Sequence, residues 1–213
     1  MSFTYNAADG TVATKTDAKS QQTQYTYDAK KRVTQITKAG DSCQTVTLVY
    51  DTNAILAGFS VNTSDRLATM SYFAKQAAGC EAVTETYSYT PAGAVTKKRV
   101  RWTRGGQGLD LDVVYAYDTE GRVASVTYPG PYPGGKTLQN QYDSMGRLSV
   151  VREDLIRDGQ PSYIEWAKGA VSGAGGELKN LSWFSMVGTN RITDPDFYTD
   201  EARTYNSRLQ LTG

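Results

Sequence analysis

The sequence predicts an all-β fold in which tandem antiparallel β-hairpins form an extended, curved or spiralling sheet. Three observations favour this fold class. A short aromatic motif recurs along the whole chain, and Asp and Gly follow it at positions where a strand would turn. The 213 residues also include 15 Tyr, 3 Trp and 5 Phe, which suit a pleated, half-buried surface. We therefore expect an ordered β-protein with a thin hydrophobic core.

The recurring motif is Tyr-x-Tyr-Asp with an Arg four residues after the Asp. It is clearest in residues 25–33, 115–123 and 141–148. Degenerate copies follow the same plan around four further tyrosines, and a weaker copy has Trp in the place of the second Tyr. The second aromatic residues of the eight copies are Tyr5, Tyr27, Tyr50, Tyr89, Tyr117, Tyr142, Trp166 and Tyr205.

The spacing of these second aromatic residues predicts a repeat architecture. Most neighbouring copies are 22 to 28 residues apart, and two intervals are 39 residues long. Such regularity favours a single array of about eight repeats over residues 1–213. Each long interval is explained either by a loop insertion or by two copies of which one has decayed. We place insertions near 52–64, 129–136 and 167–200.

Each copy has a physical logic of strand, turn and strand. Alternate residues of a strand share a face, so Tyr25 and Tyr27 form a pair. Asp28 can accept hydrogen bonds from backbone N–H groups of the turn, and Arg32 can lie across a neighbouring Tyr ring while staying near that carboxylate. Glycines reverse the chain with positive φ. The residues assigned to this structural set are Tyr25, Tyr27, Asp28, Arg32, Tyr50, Asp51, Tyr87, Tyr89, Tyr115, Tyr117, Asp118, Gly121, Arg122, Tyr142, Asp143, Gly146, Arg147 and Tyr205.

The residue types argue against catalysis. The chain has no His, which excludes a Ser-His-Asp or Cys-His arrangement within it and disfavours a zinc site. Four carboxylates in 194–201 could offer oxygen atoms to Ca²⁺, but they lack the Gly and the spaced Glu of a calcium loop. We therefore expect no enzyme activity, no metal and no cofactor. Cys43 and Cys80 could form one disulfide or remain two buried thiols, and the sequence leaves both possibilities open.

The balance of charges limits the choice of partners. A net charge of +1 gives no basic field for nucleic acid, and no apolar run is long enough to span a membrane. Lys97, Arg99 and Arg101 share one face of a predicted strand, which we interpret as a solvent-facing side. The aromatic excess could serve sugar binding, for which Trp102 and Trp183 are the candidate contacts. Exposed sheet edges could allow self-association.

The motif carries a family resemblance. Tyr-x-Tyr-Asp-x-x-Gly-Arg-Val/Leu at these intervals resembles the YD repeats of bacterial RHS proteins, of toxin-complex cage proteins and of teneurins. The resemblance extends over essentially all of the chain and implies an open segment of a YD-repeat β-shell. In full-length relatives such a shell is hollow and encloses a C-terminal toxic polypeptide. It also implies a secreted or cell-surface location as part of a larger protein.

The sequence departs from the complete family pattern in two respects. Relatives end the shell with Asp-Pro-x-Gly-Leu, whereas Asp194-Pro195 is followed here by Asp196-Phe197. Eight copies are also too few to close a cage, so we expect a segment of a longer array. The first function hypothesis is a non-catalytic structural shell module whose partners are flanking repeats and the enclosed polypeptide. The alternative is a carbohydrate-binding or adhesive surface module with glycans as partners.

Overall fold

A computed structural model of the chain describes residues 1–76, 79–130, 135–157, 160–171, 178–187, 190–191, 198–208 and 210–212. Over these ranges the chain forms strands and turns, without a helix. The predicted all-β fold of antiparallel hairpins is therefore confirmed. The strands are β1 (Ser2–Tyr5), β2 (Val12–Thr16), β3 (Gln22–Tyr27), β4 (Val33–Lys38), β5 (Asp41–Tyr50), β6 (Leu67–Gln76), β7 (Gly79–Tyr89), β8 (Val95–Arg104), β9 (Gln107–Tyr117), β10 (Val123–Thr127), β11 (Thr137–Tyr142), β12 (Leu148–Arg157), β13 (Gln160–Val171), β14 (Leu178–Val187), β15 (Asn190–Arg191) and β16 (Tyr198–Ala202).

The chain divides into two units, Met1–Val113 and Val114–Gly213, and β9 contributes residues to both. In the first unit each strand pairs with its neighbours in chain order. Strands β1 to β4 have four to six residues, whereas β6 to β9 have 10 or 11. In the second unit β10 to β15 also follow chain order, and β16 pairs with β14. Within the described residues, no helix is long and apolar enough to cross a membrane.

The hydrophobic core is thin, as the sequence predicts. Among the described residues the buried hydrophobic side chains are Ala68, Val83 and Val150. Buried polar side chains outnumber them, because polar and apolar residues alternate on both faces of most strands. Cohesion therefore depends on backbone ladders and cross-strand contacts more than on a continuous core. The buried polar or charged residues are Thr63, Thr69, Glu85, Thr86, Ser88, Ser162 and Glu165.

Residues 52–64 form an insertion inside the turn between β5 and β6. The backbone N–H of Asp51 donates to the carbonyl oxygen of Arg66 at 3.1 Å, which closes the base of this enlarged turn. The insertion then returns to β7, where the Asn62 side chain donates to the Tyr89 carbonyl at 2.8 Å. The long interval after Tyr50 therefore contains an enlarged turn and two strands of 10 and 11 residues.

The second long interval contains strands as well as connections. Strands β14 to β16 lie between residues 167 and 202, and the glycine-rich residues 172–177 and the acidic residues 194–197 lie outside the described residues. Trp166 does not end a strand as the motif position would require. It lies within β13 at a bulge, because Val151 pairs with Ala167 while Arg152 pairs with Glu165.

A disulfide joins Cys43 to Cys80 and resolves the two possibilities that the sequence leaves open. Cys43 belongs to a bulge of β5, since Lys38 pairs with Asp41 while the preceding Thr37 pairs with Thr45. The Cα atoms of the two cysteines are 5.7 Å apart although β6 lies between their strands. The bulge therefore brings Cys43 within disulfide distance of β7, which is not the neighbour of β5 in the sheet.

We expect the disulfide to stabilise the first unit substantially. Its cysteines are 37 residues apart in sequence, and closing a loop of that length contributes about 4 kcal/mol by restricting the unfolded chain. Urea denaturation with and without a reductant measures this contribution. The double variant Cys43→Ser, Cys80→Ser should match the reduced wild type and should not respond to reductant. Equal midpoints for oxidised and reduced wild-type protein would contradict the expectation.

Candidate functional site

In each of the three clear copies, the repeat turn is closed by one Asp side chain. In the copy at residues 115–123, Asp118 Oδ1 accepts hydrogen bonds from the backbone N–H groups of Glu120 at 3.0 Å and Arg122 at 2.9 Å. Asp118 Oδ2 accepts from Arg122 Nε at 2.7 Å. The N–H of Gly121 donates to the Asp118 carbonyl oxygen at 3.1 Å, and Gly121 has a φ of 79°. A single carboxylate thus satisfies three donors and fixes a left-handed residue in the turn.

The other two clear copies have the same geometry. Asp28 accepts from Lys30 and Arg32, and Asp143 accepts from Met145 and Arg147. The hydrogen bond from the backbone N–H of Arg32 is the main factor that holds the pKa of Asp28 below its usual value. These bonds favour the charged form of the carboxyl group and therefore couple its ionisation to the turn conformation.

Two turns reproduce the pattern without an arginine. Asp17 accepts from the N–H groups of Lys19 and Gln21, at the end of the hairpin opposite the Tyr-containing turns. Asn206 accepts from Arg208 and Gln210 in the same way. An amide oxygen can therefore replace the carboxylate in closing the turn. The sequence reasoning missed Asp17, although its spacing to Gln21 is the same four residues.

The arginine of a clear copy contacts the next copy along the chain. The guanidinium carbon of Arg32 lies 4.4 Å from the centre of the Tyr50 ring, and its Nη2 donates to Asp51 Oδ2 at 2.6 Å. Arg122 lies at the same 4.4 Å from the Tyr142 ring. Because each guanidinium also bonds the Asp of its own turn, it links two consecutive copies. We call this contact the Arg–Tyr stack.

The arginine also approaches the turn of the next copy. A Cβ atom on Gly146 would lie 3.2 Å from Arg122 Nη1, and one on Gly93 would lie 3.2 Å from the Arg66 guanidinium. Arg66 lies 5.7 Å from the Tyr89 ring, so the insertion leaves the Arg–Tyr stack in place. Glycine at these positions therefore satisfies both a positive φ and a close approach.

Tyrosine hydroxyl groups form a second link between copies. In each of four cases the hydroxyl group of the second Tyr donates to the carbonyl oxygen of the first residue of an earlier strand. The acceptor residue directly follows the turn or connection before its strand. The hydroxyl group therefore fixes the start of that strand to a later copy. The pairs are Tyr27 to Val12 at 2.9 Å, Tyr89 to Leu67 at 2.7 Å, Tyr142 to Val123 at 2.8 Å and Tyr205 to Leu178 at 2.9 Å.

Asp51 carries the most perturbed carboxyl group at these junctions. Its side-chain hydrogen bonds to Arg32, followed by one from the backbone N–H of Asp65, lower its pKa to about 2. Lys30 approaches both Asp51 and Asp65, and Arg32 is within 3.6 Å of Asp65. The turn of one copy and the end of the insertion therefore share a network of two cations and three carboxylates, counting Asp28.

A buried polar cluster surrounds Glu85 in the middle of β7. Tyr72 donates to its Oε1 at 3.2 Å, Tyr87 donates to its Oε2, and Lys98 Nζ lies 2.7 Å from Oε2. Burial alone would raise the pKa of Glu85, but the bonds from Lys98 and Tyr87 outweigh it and lower the pKa. Burial, and then the bond to Glu85, raise the pKa of Tyr87. The sequence reasoning gave Glu85 no role, and its alternation pattern contains no signal for one.

The basic stripe on β8 is matched by acids on β9. Arg99 makes a bidentate pair with Asp112 at 2.5 and 2.8 Å, and Arg101 makes one with Asp110 at 2.6 and 2.8 Å. Lys97 approaches Asp112 at 3.3 Å. The positive charge of this stripe is therefore largely compensated within the sheet.

The structure describes the side chain of only one of the two candidate ligand contacts, Trp102 and Trp183. Trp102 is half-buried on β8 opposite Val83, and its Nε1 is buried without a hydrogen-bond acceptor among the described residues. It lines a cleft of about 280 Å³. Trp183 lies on β14 opposite Thr199, but its side chain lies outside the described part of the structure.

The structure offers no metal centre in the part it describes. Within those residues no three His, Cys, Asp or Glu side chains are grouped so that they could hold an ion. The acids that come close together instead face Arg or Lys. The arrangement can therefore join repeats and carry charge networks, and it presents no evident acid, base and nucleophile set.

Comparisons with known proteins complete the description. Residues 1–157 match the family model described as Teneurin YD-shell. Among solved structures, "Crystal Structure of TcdB2-TccC3-Cdc42" is 16% identical with a TM-score of 0.45, and the match covers 97% of this chain and 11% of that one. "Crystal Structure of TcdB2-TccC3 without hypervariable C-terminal region" is 11% identical with a TM-score of 0.36, covering 89% and 11%. The chain thus spans a small part of these structures, and no curated protein matches it.

Two glycines provide a matched test of the close approach by arginine. Gly121 and Gly146 have φ values of 79° and 76°, but of the two only Gly146 has an arginine atom, Nη1 of Arg122, within 4 Å of the position that a Cβ would take. Gly121→Ala should cost about 1 kcal/mol of unfolding free energy from backbone strain alone. Gly146→Ala should cost more, and the excess should vanish when Arg122→Ala is added. Chemical denaturation of the four variants measures this; equal costs in both backgrounds would contradict it.

The pKa of Asp51 predicts an acid-sensitive contribution to stability. Its folded pKa of about 2 lies below the ordinary 3.8, so the contribution is complete above pH 4 and is lost as the pH falls towards 2. The difference in denaturation midpoint between wild type and Asp51→Asn should therefore shrink over that range. In an Arg32→Gln background this pH dependence should be much weaker, because Arg32 is its main cause. A difference that stays constant from pH 5 to pH 2 would contradict the assignment.

Proposed function

The chain belongs to the teneurin YD-shell family, and on that premise we propose that it is a non-catalytic structural module. It forms a segment of the β-shell of a large secreted or surface protein of the RHS toxin type. The shell encloses a C-terminal polypeptide, and the partners of this segment are the flanking repeats and that polypeptide. The repeat motif residues serve to join one copy to the next.

The observation that carries this proposal is the double link between consecutive copies. Arg122 bonds Asp118 in its own turn and stacks on Tyr142 of the next copy, while the Tyr142 hydroxyl group donates back to Val123. Links of this kind make the stability of an array depend on neighbouring units, which suits a continuous wall. These links use the Asp, Arg and Tyr side chains of the motif for contacts within the chain. Few of these groups therefore remain available to bind a ligand.

The state of the acidic groups supports a non-catalytic role. A general-acid carboxyl group needs a raised pKa, whereas the pKa values of Glu85, Asp110 and Asp112 are lowered. Side-chain bonds from Arg101 and Arg99 are the main causes for the two aspartates. The absence of His from the sequence removes the commonest general base.

The disulfide supports a location outside the reducing cytosol. Cys43 and Cys80 are the two cysteines of the chain, and they are joined to each other. Disulfides of this structural kind persist mainly in secreted and surface proteins. This argument is independent of the family and agrees with the proposed setting.

The carbohydrate-binding alternative loses much of its motivation. Several repeat rings that could stack on a sugar are covered by arginines, including Tyr50, Tyr89 and Tyr142. Trp102 beside its cleft is the remaining described candidate. A glycan array followed by Trp102→Ala would favour this alternative if selective binding were found and then lost in the variant.

Protection of the downstream polypeptide tests the shell proposal. The longer protein is prepared with a tag on its C-terminal polypeptide and is treated with a non-specific protease. We expect the tag to survive in the wild type and to be cleaved severalfold faster when Arg32→Ala and Arg122→Ala weaken the Arg–Tyr stacks. Arg104→Ala is the control, because this arginine is 76% exposed at a hairpin end. Cleavage of the wild-type tag as fast as that of the isolated polypeptide would refute enclosure.

A further inference from the structure

Among the described residues, the first half of β9 has one side without a partner strand. Strand β9 begins at Gln107, but β10 pairs with it only from Val114 to Tyr117. Among the described residues, no backbone hydrogen bond reaches 107–113 on the side away from β8. Seven residues of β9 therefore form a sheet edge, which we call the β9 edge.

The ion pairs identify which backbone groups face outward. They place Asp110 opposite Arg101 and Asp112 opposite Arg99. The β8–β9 turn has two residues, and in such hairpins the residues that flank the turn form a hydrogen-bonded pair, after which the pair types alternate. Asp110, Asp112 and Gly108 therefore belong to non-hydrogen-bonded pairs with β8. Their N–H and C=O groups point towards the open side.

The charges on the β9 edge do not protect it as charges on an edge usually do. Unpaired carboxylates on an edge strand repel an approaching strand or cost it desolvation. Here Arg101 holds both oxygens of Asp110, and Arg99 holds both oxygens of Asp112. Each carboxylate is thus neutralised while it keeps lone pairs that can accept further hydrogen bonds.

The opposite face of the same edge offers an apolar contact. Leu109 is 53% exposed, and it lines the cleft of about 280 Å³ together with Trp102, Arg104, Gln107 and Gly108. Three of these five lining residues belong to β9 itself. The indole N–H of Trp102 is buried there without an acceptor among the described residues, so the cleft offers a donor as well as apolar surface.

The protein covers a comparable edge elsewhere in this unit. Strand β5 pairs with β6 only as far as Ser71, which leaves 72–76 beyond the ladder. The bulge that carries Cys43 lies near this part of β6, because it is joined to Cys80, which pairs with Lys75. The β9 edge has no such cover among the described residues, although it is longer and lies beside a cleft.

We propose that the β9 edge binds an extended peptide segment of another polypeptide as an added strand. Its side chains alternate between an apolar residue that enters the cleft at Leu109 and an uncharged hydrogen-bond donor, such as Ser, Thr or Asn, beside Asp110 and Asp112. A second copy of the chain fits less well, because antiparallel pairing centred on Leu111 would set Asp110 against Asp112, and an ionised aspartate offers no side-chain donor to the other. The inference does not rest on the shell role and can fail without it.

Amide exchange with a defined probe tests the proposal. The full chain, labelled with ¹⁵N, is titrated with acetyl-Thr-Val-Thr-Leu-Thr-Val-amide and its amide exchange is followed by NMR. We expect slower exchange at Gly108, Asp110 and Asp112, with little change at Leu109 and Leu111, which already bond β8. The same peptide N-methylated at alternate residues should lose binding, because it lacks donors for the ladder.

Matched variants separate specific binding of the peptide at the β9 edge from non-specific binding elsewhere on the chain. Leu109→Ser should weaken the affinity about fivefold by removing apolar contact at the cleft. Ile55→Ser, which changes a side chain that is 55% exposed on the insertion, should leave it unchanged. Absence of binding at millimolar peptide, protection that does not alternate along β9, or self-association of the chain through these residues would each overturn the proposal.

Discussion

The stack of an arginine on the tyrosine of the next copy is the interaction on which the rest of this structure depends. The described part of the sheet buries few hydrophobic side chains, so burial cannot hold consecutive hairpins together alone. Arg32 joins Asp28, Tyr50 and Asp51 through one planar group that serves two copies. A lysine could supply the charge but not the fork and the flat face together. The motif therefore combines a turn and a junction in one short stretch of sequence.

Polar contacts replace a core throughout the described part of this protein. Examples are the Glu85 cluster, the bidentate pair of Arg99 and Asp112, and the bond from Tyr142 to Val123. These contacts are directional, and together they specify one register of the strands. The exposed ion pairs of the sheet contribute little individually, so their value lies in number and regularity. Stability distributed in this way agrees with a repeat array, in which each unit needs only its neighbours.

Much of the fold could be predicted from sequence because the turn chemistry is local. Asp28 and Arg32 are four residues apart, and their hydrogen bonds follow from that spacing. The acceptors of the tyrosine hydroxyl groups could not be predicted, because Val12 and Tyr27 become neighbours only once the strands pair. Trp166 misled the assignment, since a bulge in β13 shifts its position. The Cys43–Cys80 disulfide depends on a bulge in β5, for which the sequence has no pattern.

The insertion at residues 52–64 shows how this architecture tolerates additional residues in a turn. Its base is closed by the bond between Asp51 and Arg66, so the strands on either side pair directly from Tyr50 and Leu67. Arg66 still reaches Tyr89, although thirteen residues separate the two halves of its turn. The turn ends of the sheet are thus natural graft points, at which diversity can accumulate in evolution while the wall beneath it stays unchanged.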